Sequence, residues 1–487
     1  MENDNTVRGD MPVEDFKKFG YQFIDWISDY LANMKDYPVL AQINPGDVKN
    51  KLPKSPPVNN ESMQDILKDV NNIIMPGMTH WNHPGFMAYF NSSASGPGIL
   101  AELLSGAFNI NGMNWKSCPS ATELEEVVVD WLRQMLKLPE NFWGIIYDGG
   151  SASTMHAIAA AREFKQELEI RTKGMSGRSE VPRLRLYKSE HGHSSIDKGA
   201  ITLGLGIECI KIIECDEEFK MIPSKLEEAI IKDIKEGWLP FCTVATVGTT
   251  STTSIDPVEE ISEICRRHNL WLHIDASHAG SAAIVPEYNY ILNGCEKADS
   301  FVVNPHKWMF MPIDISTFFT PHKEIVKRTF SLVHEYLKTE QDNEVTNFMD
   351  YGIQLGRRFR SLKLWFVIRY FGTEGIINIL REHLRLGKLF AQWIDNDPAF
   401  ERLAPVPLST VCFRAIPNFE TDINKFNENL LNEINKTGII FLSHTKLNGR
   451  FTIRLVVSHI KSNEELVINA FKVIKDKYNQ LNSGGNE

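Results

Sequence analysis

The segment Phe301-Val-Val-Asn-Pro-His-Lys-Trp308 constrains the fold more than any other part of the chain. Residues 301–303 form a short apolar run that is typical of a buried strand. Lys307 follows this run, flanked by apolar and aromatic side chains. A lysine at the end of a buried strand is partly desolvated, which lowers the pKa of its amine and makes it nucleophilic. Taken alone, however, such a lysine is more often a surface residue beside a core tryptophan.

The surrounding region, from about residue 120 to residue 320, alternates between short β-rich runs and helical segments. The β-rich runs are 145–147, 184–187, 210–213, 241–247, 271–274 and 301–303, and the helical segments include 153–168, 222–235 and 257–268. This alternation predicts an α/β fold with a mostly parallel sheet covered by helices on both faces. Ligands of such sheets bind beyond the carboxyl ends of the strands, so Lys307 lies where a site is expected.

Two more of these strand ends carry residues of chemical interest. Asp275 directly follows the run 271–274, although a lone aspartate there is more often a helix cap or part of an ion pair. Residues 149–153, Gly-Gly-Ser-Ala-Ser, follow the run 145–147 and open a helix, where free N–H groups favour an anion. No Walker lysine follows, and by itself this turn is a weak phosphate signal.

The three elements together predict one cofactor, pyridoxal 5'-phosphate (PLP). A lysine can form a Schiff base with an aldehyde, an aspartate can pair with a pyridinium nitrogen, and a Gly/Ser helix start can hold a phosphate. With its nitrogen kept protonated by Asp275, the ring would act as an electron sink for a carbanion at Cα. We therefore expect an enzyme that breaks a bond to the Cα of an amino acid.

Composition excludes several other classes of protein. The 487 residues carry a formal net charge of −10 without a basic block, which argues against nucleic-acid binding. With 43% hydrophobic and 10% aromatic residues, the chain is not a disordered protein. Seven cysteines without CxxC spacing and a polar, acidic N-terminus predict a cytoplasmic protein without disulfides. The pair His191 and His193 suggests a metal, but no third ligand is evident in the sequence, so we predict none.

Residues 86–115 are the only stretch that raises a membrane question. Their one charged side chain is Glu102. Several glycines and polar residues, however, break the apolar run. We therefore expect no membrane span. Deep burial, for instance in a subunit interface, is the better interpretation.

The chain resembles the group II PLP-dependent decarboxylases, and most closely the aromatic L-amino acid decarboxylases. The motifs that carry this resemblance are 304–308 (NPHKW), the strand with Asp275, 150–153 (GSAS), 80–86 (HWNHPGF), Pro119 with 122–125 (TELE), 193–195 (HSS), 248–250 (GTT) and 355–363 (LGRRFRSLK). Together they extend over roughly residues 12 to 475 in unbroken order.

The resemblance implies a role for each matching position. Lys307 would carry the Schiff base, Asp275 would pair with the pyridine nitrogen, and His193 would stack on the ring. The remaining cofactor contacts would be Ser151, Ala152, Ser153, Thr250 and Asn304. The implied substrate-binding residues are Trp81, Tyr89, Phe90, Ser92 and Gly356, although plain core packing is an equal alternative for the three aromatic residues. Glycine at 356 would leave room for a large ring such as an indole or catechol.

The reaction type depends on the segment 331–350. In the family this segment is a mobile loop that closes over the substrate, and its tyrosine, here Tyr336, delivers a proton to Cα. Relatives with phenylalanine there tend to be aldehyde synthases, which release aldehyde, ammonia and peroxide. Tyr336 therefore favours simple decarboxylation to amine and CO2, with the aldehyde synthase as the alternative. A catalytically silent ligand-binding dimer is a third possibility, which the joint presence of Lys307, Asp275, His193 and Tyr336 opposes.

The resemblance also implies the architecture of an aspartate-aminotransferase-like, fold type I PLP enzyme. We expect an N-terminal helical segment that wraps the partner subunit (1–85), a large domain with a seven-stranded sheet (86–380) and a small C-terminal α+β domain (381–487). The expected assembly is an obligate homodimer with active sites at the interface.

Four positions depart from the family pattern. Ser277 and His278 replace alanine and an aromatic residue in the family's DAAYAG motif, Asn91 stands where animal members have proline, and His334 replaces a loop proline. These departures leave the PLP prediction intact. They leave open which aromatic ring the enzyme prefers.

Overall fold

The structure, a computed structural model, describes residues 9–332 and 344–484. Its N-terminal segment contains the helices α1 (Val13–Ala32), α2 (Asp47–Lys51) and α3 (Met63–Asp69). Helix α1 begins directly after Pro12. This helix buries none of its side chains within the chain, and Phe16 and Tyr21 are both more than 60% exposed.

A seven-stranded sheet forms the centre of the large domain. Its strands are β1 (Trp143–Tyr147), β2 (Leu184–Ser189), β3 (Ile210–Ile213), β4 (Leu239–Thr246), β5 (Trp271–Asp275), β6 (Ser300–Val303) and β7 (Ser316–Thr320). They lie in the order β1-β7-β6-β5-β4-β2-β3, and β7 alone runs antiparallel to its neighbours. The predicted mostly parallel sheet is therefore confirmed. Because every strand except β7 points the same way, their carboxyl ends meet at one edge.

Helices cover both faces of this sheet, as the alternating pattern predicts. They are α4 (Gly96–Phe108), α5 (Pro119–Met135), α6 (Gly150–Phe164), α7 (Ile170–Lys173), α8 (Ser194–Thr202), α9 (Pro223–Lys235), α10 (Val258–Arg267), α11 (Pro305–Trp308), α12 (Lys323–Phe330) and α13 (Arg360–Asn396). Apolar side chains of α5, α9 and α10 pack into one core, and those of α6 and α8 pack into a second core. The two cores fix the sheet between two helical layers.

The C-terminal domain is a smaller α+β unit. An antiparallel sheet of β8 (Phe400–Arg402), β9 (Thr410–Ala415), β10 (Ser443–Leu447) and β11 (Arg450–Val456) packs against α14 (Ile423–Lys436) and α15 (Glu464–Gly484). A turn at Asn448-Gly449 joins β10 to β11, with φ values of 50° and 75° that suit a type I′ hairpin.

Helix α13 joins the two domains. Leu380 and Leu384 belong to the core of the large domain, whereas Leu386 and Phe390 belong to the core of the small one. The boundary predicted between residues 380 and 381 therefore lies inside one helix, which contributes side chains to both cores.

The glycine-broken segment 86–115 contains the helix α4, which has 13 residues. Within 9–332 and 344–484, no helix combines the length and the apolar character needed to cross a bilayer. Phe86 and Met87 are buried, but helix α4 leaves Leu103 and Phe108 about half exposed. The chain alone thus buries only part of this segment.

Candidate active site

A cavity of about 570 Å³ lies at the edge of the sheet where the carboxyl ends meet. The loops after β1, β2, β4, β5 and β6 all contribute to its wall. The bordering residues that carry polar or reactive groups include Ser151, His193, Thr250, Asp275, Ser277, Asn304 and Lys307. Parallel strands bring these sequence-distant residues together, as expected for the edge of an α/β sheet.

Lys307 lies on the short helix α11, directly after β6. Its N–H donates to the carbonyl oxygen of Asn304 at 2.9 Å, and the next residue, Trp308, is fully buried. The indole N–H of Trp308 donates to Nδ1 of His383 at 3.0 Å, which anchors the helix. Burial lowers the pKa of the Lys307 amine, although the charge of Asp275 partly opposes this effect. Lys307 is therefore a fixed and partly activated amine at the cavity wall.

Asp275 is the last residue of β5 and is almost completely buried. Its Oδ1 accepts a hydrogen bond from the N–H of Ser277 at 3.1 Å. Burial acts to raise the pKa of Asp275, but the charge of Lys307 and the hydrogen bond from Ser277 outweigh it and lower the pKa. Asp275 is thus an ionised carboxylate that can hold a cationic group in the cavity.

The start of helix α6 provides an anion-binding surface. Gly149, with an extended backbone, precedes the helix, and Gly150 is its first residue. A Cβ atom on Gly150 would lie 2.6 Å from Nδ2 of Asn304, so no larger residue fits there without displacing Asn304. The first N–H groups of a helix lack intrahelical partners and carry the positive end of its dipole. With Ser151 exposed beside them, they can hold a phosphate.

Ser153 contributes to the site indirectly. Its side chain is completely buried, and its Oγ lies 2.7 Å from Oγ of Ser316. Ser316 donates its proton to Oδ1 of Asn304 at 2.6 Å, so Ser153 must be the donor to Ser316. This chain of hydrogen bonds ties α6 to the end of β6. Neither Ser153 nor Ala152 borders the cavity, so the structure places these two predicted contact residues behind its wall.

His193 borders the cavity and caps helix α8. Its Nδ1 accepts the N–H of Ser195 at 3.1 Å, which leaves the proton of the neutral ring on Nε2. Desolvation of the imidazole lowers its pKa, and the charge of Asp275 only partly offsets this. His193 is therefore a neutral ring with an N–H available to a ligand.

His278, one of the departures from the family pattern, forms part of a ring stack. Phe90 borders the cavity and stacks on His278, with ring centroids 3.8 Å apart and planes 7° apart. Within the described chain, neither ring nitrogen of His278 has a hydrogen-bond partner. Burial lowers its pKa far below the ordinary value, with Lys307 and Arg454 adding to the effect. The ring is therefore neutral.

The remaining predicted substrate residues lie away from this cavity in the single chain. Trp81 and Tyr89 are 42% and 51% exposed and stack on each other, with ring centroids 5.9 Å apart. Ser92 and Gly356 also do not border the cavity, so of the five predicted residues only Phe90 does. The predicted proton donor, Tyr336, lies outside the described residues.

Arg454 is a residue of the site region that the sequence analysis missed. It extends from β11 of the small domain and is 3% exposed. Its Nη2 donates to the carbonyl oxygen of Thr250 at 2.6 Å, its Nε to that of Ser251 at 2.8 Å, and its Nη1 to Oγ of Ser443 at 2.9 Å. Arg454 thus holds the cavity-forming loop after β4 against the small domain. The one available signal was an arginine within the apolar run 451–457.

The chemistry of the cavity fits PLP. The amine of Lys307 suits an aldehyde, the carboxylate of Asp275 suits a pyridinium nitrogen, and the start of α6 suits a phosphate. The cavity volume also lies within the range of about 300 to 1,000 Å³ that is common for small-molecule sites.

Comparisons with known proteins agree with this chemistry. Residues 45–416 match the model of the "Pyridoxal-dependent decarboxylase conserved domain". Tyrosine decarboxylase 2 of Narcissus pseudonarcissus is 37% identical over 97% of this chain and 96% of its own length. Phenylacetaldehyde synthase of Arabidopsis thaliana is 36% identical over 99% of both chains.

A solved structure extends the similarity to the whole fold. The crystal structure of Oryza sativa TDC with PLP and tryptamine superimposes with a TM-score of 0.93, covering 98% of this chain and 100% of the other at 32% identity. Both the predicted fold type and the PLP prediction are thereby confirmed. The match to the family model extends over well more than half of the residues. The chain therefore belongs to the family of pyridoxal-dependent decarboxylases.

Proposed function

We propose that this enzyme decarboxylates aromatic L-amino acids, producing the corresponding arylalkylamine and CO2. The observation that carries the proposal is the meeting of Lys307, Asp275 and the start of helix α6 at one cavity. The aromatic substrate class is supported by relatives named for tyrosine decarboxylation and by a structural neighbour that contains tryptamine.

Each of these residues has a defined task in the reaction. PLP, when bound, supplies an electron sink for the electron pair that remains on Cα after CO2 leaves. Lys307 provides the amine that holds the aldehyde group, and the Asp275 carboxylate keeps a proton on the pyridine nitrogen. The N–H groups at the start of α6, with Ser151, hold the phosphate. On the resemblance, His193 would stack on the ring and shield Cα from the wrong proton donor, and its neutral imidazole keeps an N–H on Nε2 for a ligand.

Two further groups act at the cavity wall. Thr250 borders the cavity and is held there through its carbonyl oxygen by Arg454. Asn304 is fixed by Ser316 and so supports both Lys307 and the start of α6. On the resemblance, Tyr336 returns the proton to Cα, and Trp81, Tyr89, Ser92 and Gly356 help to form the aromatic pocket.

The alternative activity is that of an aromatic aldehyde synthase. The similarity to phenylacetaldehyde synthase is almost as high as that to tyrosine decarboxylase, so overall identity does not separate the two reactions. Tyr336 favours decarboxylation, because a tyrosine at this position protonates Cα before oxygen reacts there.

Product analysis separates the two activities. PLP-loaded enzyme would be incubated with Trp, 5-hydroxy-Trp, Dopa, Tyr, Phe and His, and the amine, aldehyde, CO2 and peroxide would be measured. We expect amine and CO2 in equal amounts without peroxide, and no turnover of His. Aldehyde with peroxide would assign the alternative activity, and the absence of turnover would refute both. In the matched variant Tyr336→Phe, we expect the product to change towards aldehyde.

We further propose that the enzyme functions as a homodimer. Helix α1 exposes Phe16 and Tyr21, and α4 exposes Leu103 and Phe108. Large exposed side chains of this kind commonly mark a surface that another protein covers. Sedimentation analysis of the wild type should give a dimer, and Phe108→Asp should shift it towards the monomer. A wild-type monomer with full activity would contradict the proposal.

The cysteines support a cytoplasmic location, which we also propose. All seven are free, as expected for a protein of a reducing compartment. Fractionation of the native cells with an antibody against the chain would test this, and recovery in a secreted or organellar fraction would contradict it.

A further inference from the structure

The loops after β2 and β3 bring a glutamate, a histidine and a cysteine together. These strands are parallel neighbours, with Ser189 opposite Ile213, so the residues that follow them are also neighbours. Glu190 and His191 come from the first loop and Cys215 from the second. One ligand atom from each of these three residues lies within 4.8 Å of the other two. The sequence alone gave His191 no such partners, because Cys215 is distant in the chain.

The backbone around these side chains is held in place by hydrogen bonds. The N–H of Glu190 donates to the carbonyl oxygen of Ile213 at 3.2 Å, and the N–H of Cys215 donates to Oε1 of Glu190 at 3.1 Å. The ring of His191 packs edge-on against the buried Phe219, with centroids 5.3 Å apart. The three groups are therefore positioned before any ion binds, which reduces the entropic cost of binding.

The chemistry of the three groups selects the class of ion. A thiolate, an imidazole and a carboxylate are the usual ligands of Zn²⁺, whereas Ca²⁺ and Mg²⁺ require oxygen ligands. Three protein ligands leave a fourth tetrahedral position for water. Glu190 is exposed, and His191 and Cys215 are half-buried, so an ion can reach them from solvent.

We propose that Glu190, His191 and Cys215 form a Zn²⁺ site outside the cavity of Lys307. Binding displaces the Cys215 proton to solvent, and the thiolate sulfur forms the bond to the metal. The carboxylates of Asp256 and Glu190 lie close enough to the Cys215 thiol to act on it through their charges. The same negative charges attract a dication. The bound ion ties the loop that leads to His193 to the loop after β3.

The first test measures zinc on the purified holoenzyme after equilibrium dialysis against a weak chelator. We expect one ion per chain in the wild type and binding that is weaker by about 100-fold in Cys215→Ser and His191→Gln, since even loss of an outer-shell partner costs about 10- to 100-fold. Cys118→Ser and His444→Gln are the matched controls, because both remove a possible ligand elsewhere, and they should bind zinc like the wild type. Absence of zinc from the wild type, or equal binding by all variants, would overturn the proposal.

A second measurement uses only the wild-type holoenzyme and is unaffected by misfolded variants. The alkylation of each cysteine by iodoacetamide would be followed by peptide mass spectrometry with and without Zn²⁺. We expect Zn²⁺ to slow the reaction of Cys215 and to leave that of Cys118 unchanged. Equal alkylation of Cys215 under both conditions would refute the site.

Discussion

The imidazole of His278 lies parallel to the indole of Trp308, with ring centroids 4.5 Å apart and planes 2° apart. Phe90 stacks against the same imidazole. The three rings thus connect Trp308, the neighbour of Lys307, with Phe90 at the wall of the cavity. His278 is 1% exposed and has no hydrogen-bond partner for its ring among the described residues. The stack thus relies on packing rather than on polar contacts.

Two substitutions of His278 should separate ring packing from polarity. His278→Ala should lower the free energy of unfolding by about 2 to 4 kcal/mol, because it leaves a cavity between two aromatic rings. His278→Phe retains a flat ring and removes two unpaired nitrogens, so we expect a change of less than about 1.5 kcal/mol. Urea denaturation of the cofactor-free enzymes measures both values. An equal loss in the two variants would mean that the nitrogens have a partner.

The two glycines at the start of α6 should differ in their tolerance of a side chain. Gly150→Ala would place Cβ 2.6 Å from Nδ2 of Asn304, and we expect this to cost about 1 to 3 kcal/mol of stability. Gly149→Ala is the matched control, since nothing lies within 4 Å of its added Cβ and its φ is −171°. Thermal melting of the cofactor-free proteins tests the difference. Equal melting temperatures would show that Asn304 moves aside without cost.

Removal of the charge of Asp275 should impair catalysis more than folding. Asp275→Asn keeps the size of the side chain but loses the anion that balances Lys307. We expect kcat to fall by about 10²- to 10³-fold, which is typical of the loss of one preorganised electrostatic contact. Steady-state kinetics and the visible spectrum of the PLP-loaded variant measure the effect. Undiminished kcat would exclude Asp275 as the partner of the pyridine nitrogen.

Arg454 should be important for both stability and cofactor binding. Arg454→Met leaves the carbonyl oxygen of Thr250 without its donor and leaves that of Ser251 with only the weak thiol donor of Cys412, and we expect a loss of about 2 to 4 kcal/mol. The affinity for PLP should also fall, because the loop that carries Thr250 is released. Arg450→Met, on the same strand but with an exposed side chain, should change stability by less than about 1 kcal/mol. Similar effects of the two variants would argue against the interdomain role of Arg454.

Asp256 should make stability depend on pH. Its carboxylate accepts N–H groups of Met221 and Thr246, both at 2.8 Å, but burial raises its pKa from 3.8 to about 6. Between these two pH values the native state binds more protons than the unfolded state. The contribution of Asp256 to the free energy of unfolding therefore falls as the pH rises. Asp256→Asn lacks this titration. The stability advantage of the wild type over the variant should therefore be about 1 kcal/mol larger at about pH 5 than at about pH 7.5.

Urea titrations of both proteins at the two pH values measure this difference. The variant should be less stable at either pH, since an amide nitrogen cannot accept the second N–H bond. A difference that stays constant, or that grows with pH, would mean that the carboxylate is already ionised at the lower pH.

The parts of the site that the sequence predicted are those with local signals. Lys307, Asp275 and the start of α6 each follow an apolar run directly, so strand pattern and chemistry could be read within a few residues. Strand β7 was not among the runs identified, because Ser316, Thr317 and Thr320 make it look polar although it is completely buried.

Contacts between distant parts of the chain could not be predicted in this way. Arg454 reaches the loop after β4 from another domain, and no local pattern encodes this arrangement. Ser316 acquires its role only because β7 lies beside β6. The positions of Trp81 and Tyr89 relative to the cavity also depend on packing rather than on motif.

The order of strands also bears on how the protein is synthesised. Strand β1, which leads into the phosphate-binding turn, pairs with β7 along its whole length, although the two are separated by most of the large domain in sequence. A nascent chain that has emerged only as far as β5 cannot yet close this side of the sheet. Such non-local pairing slows folding. We therefore expect this side of the cofactor site to be completed only after residue 320 has left the ribosome.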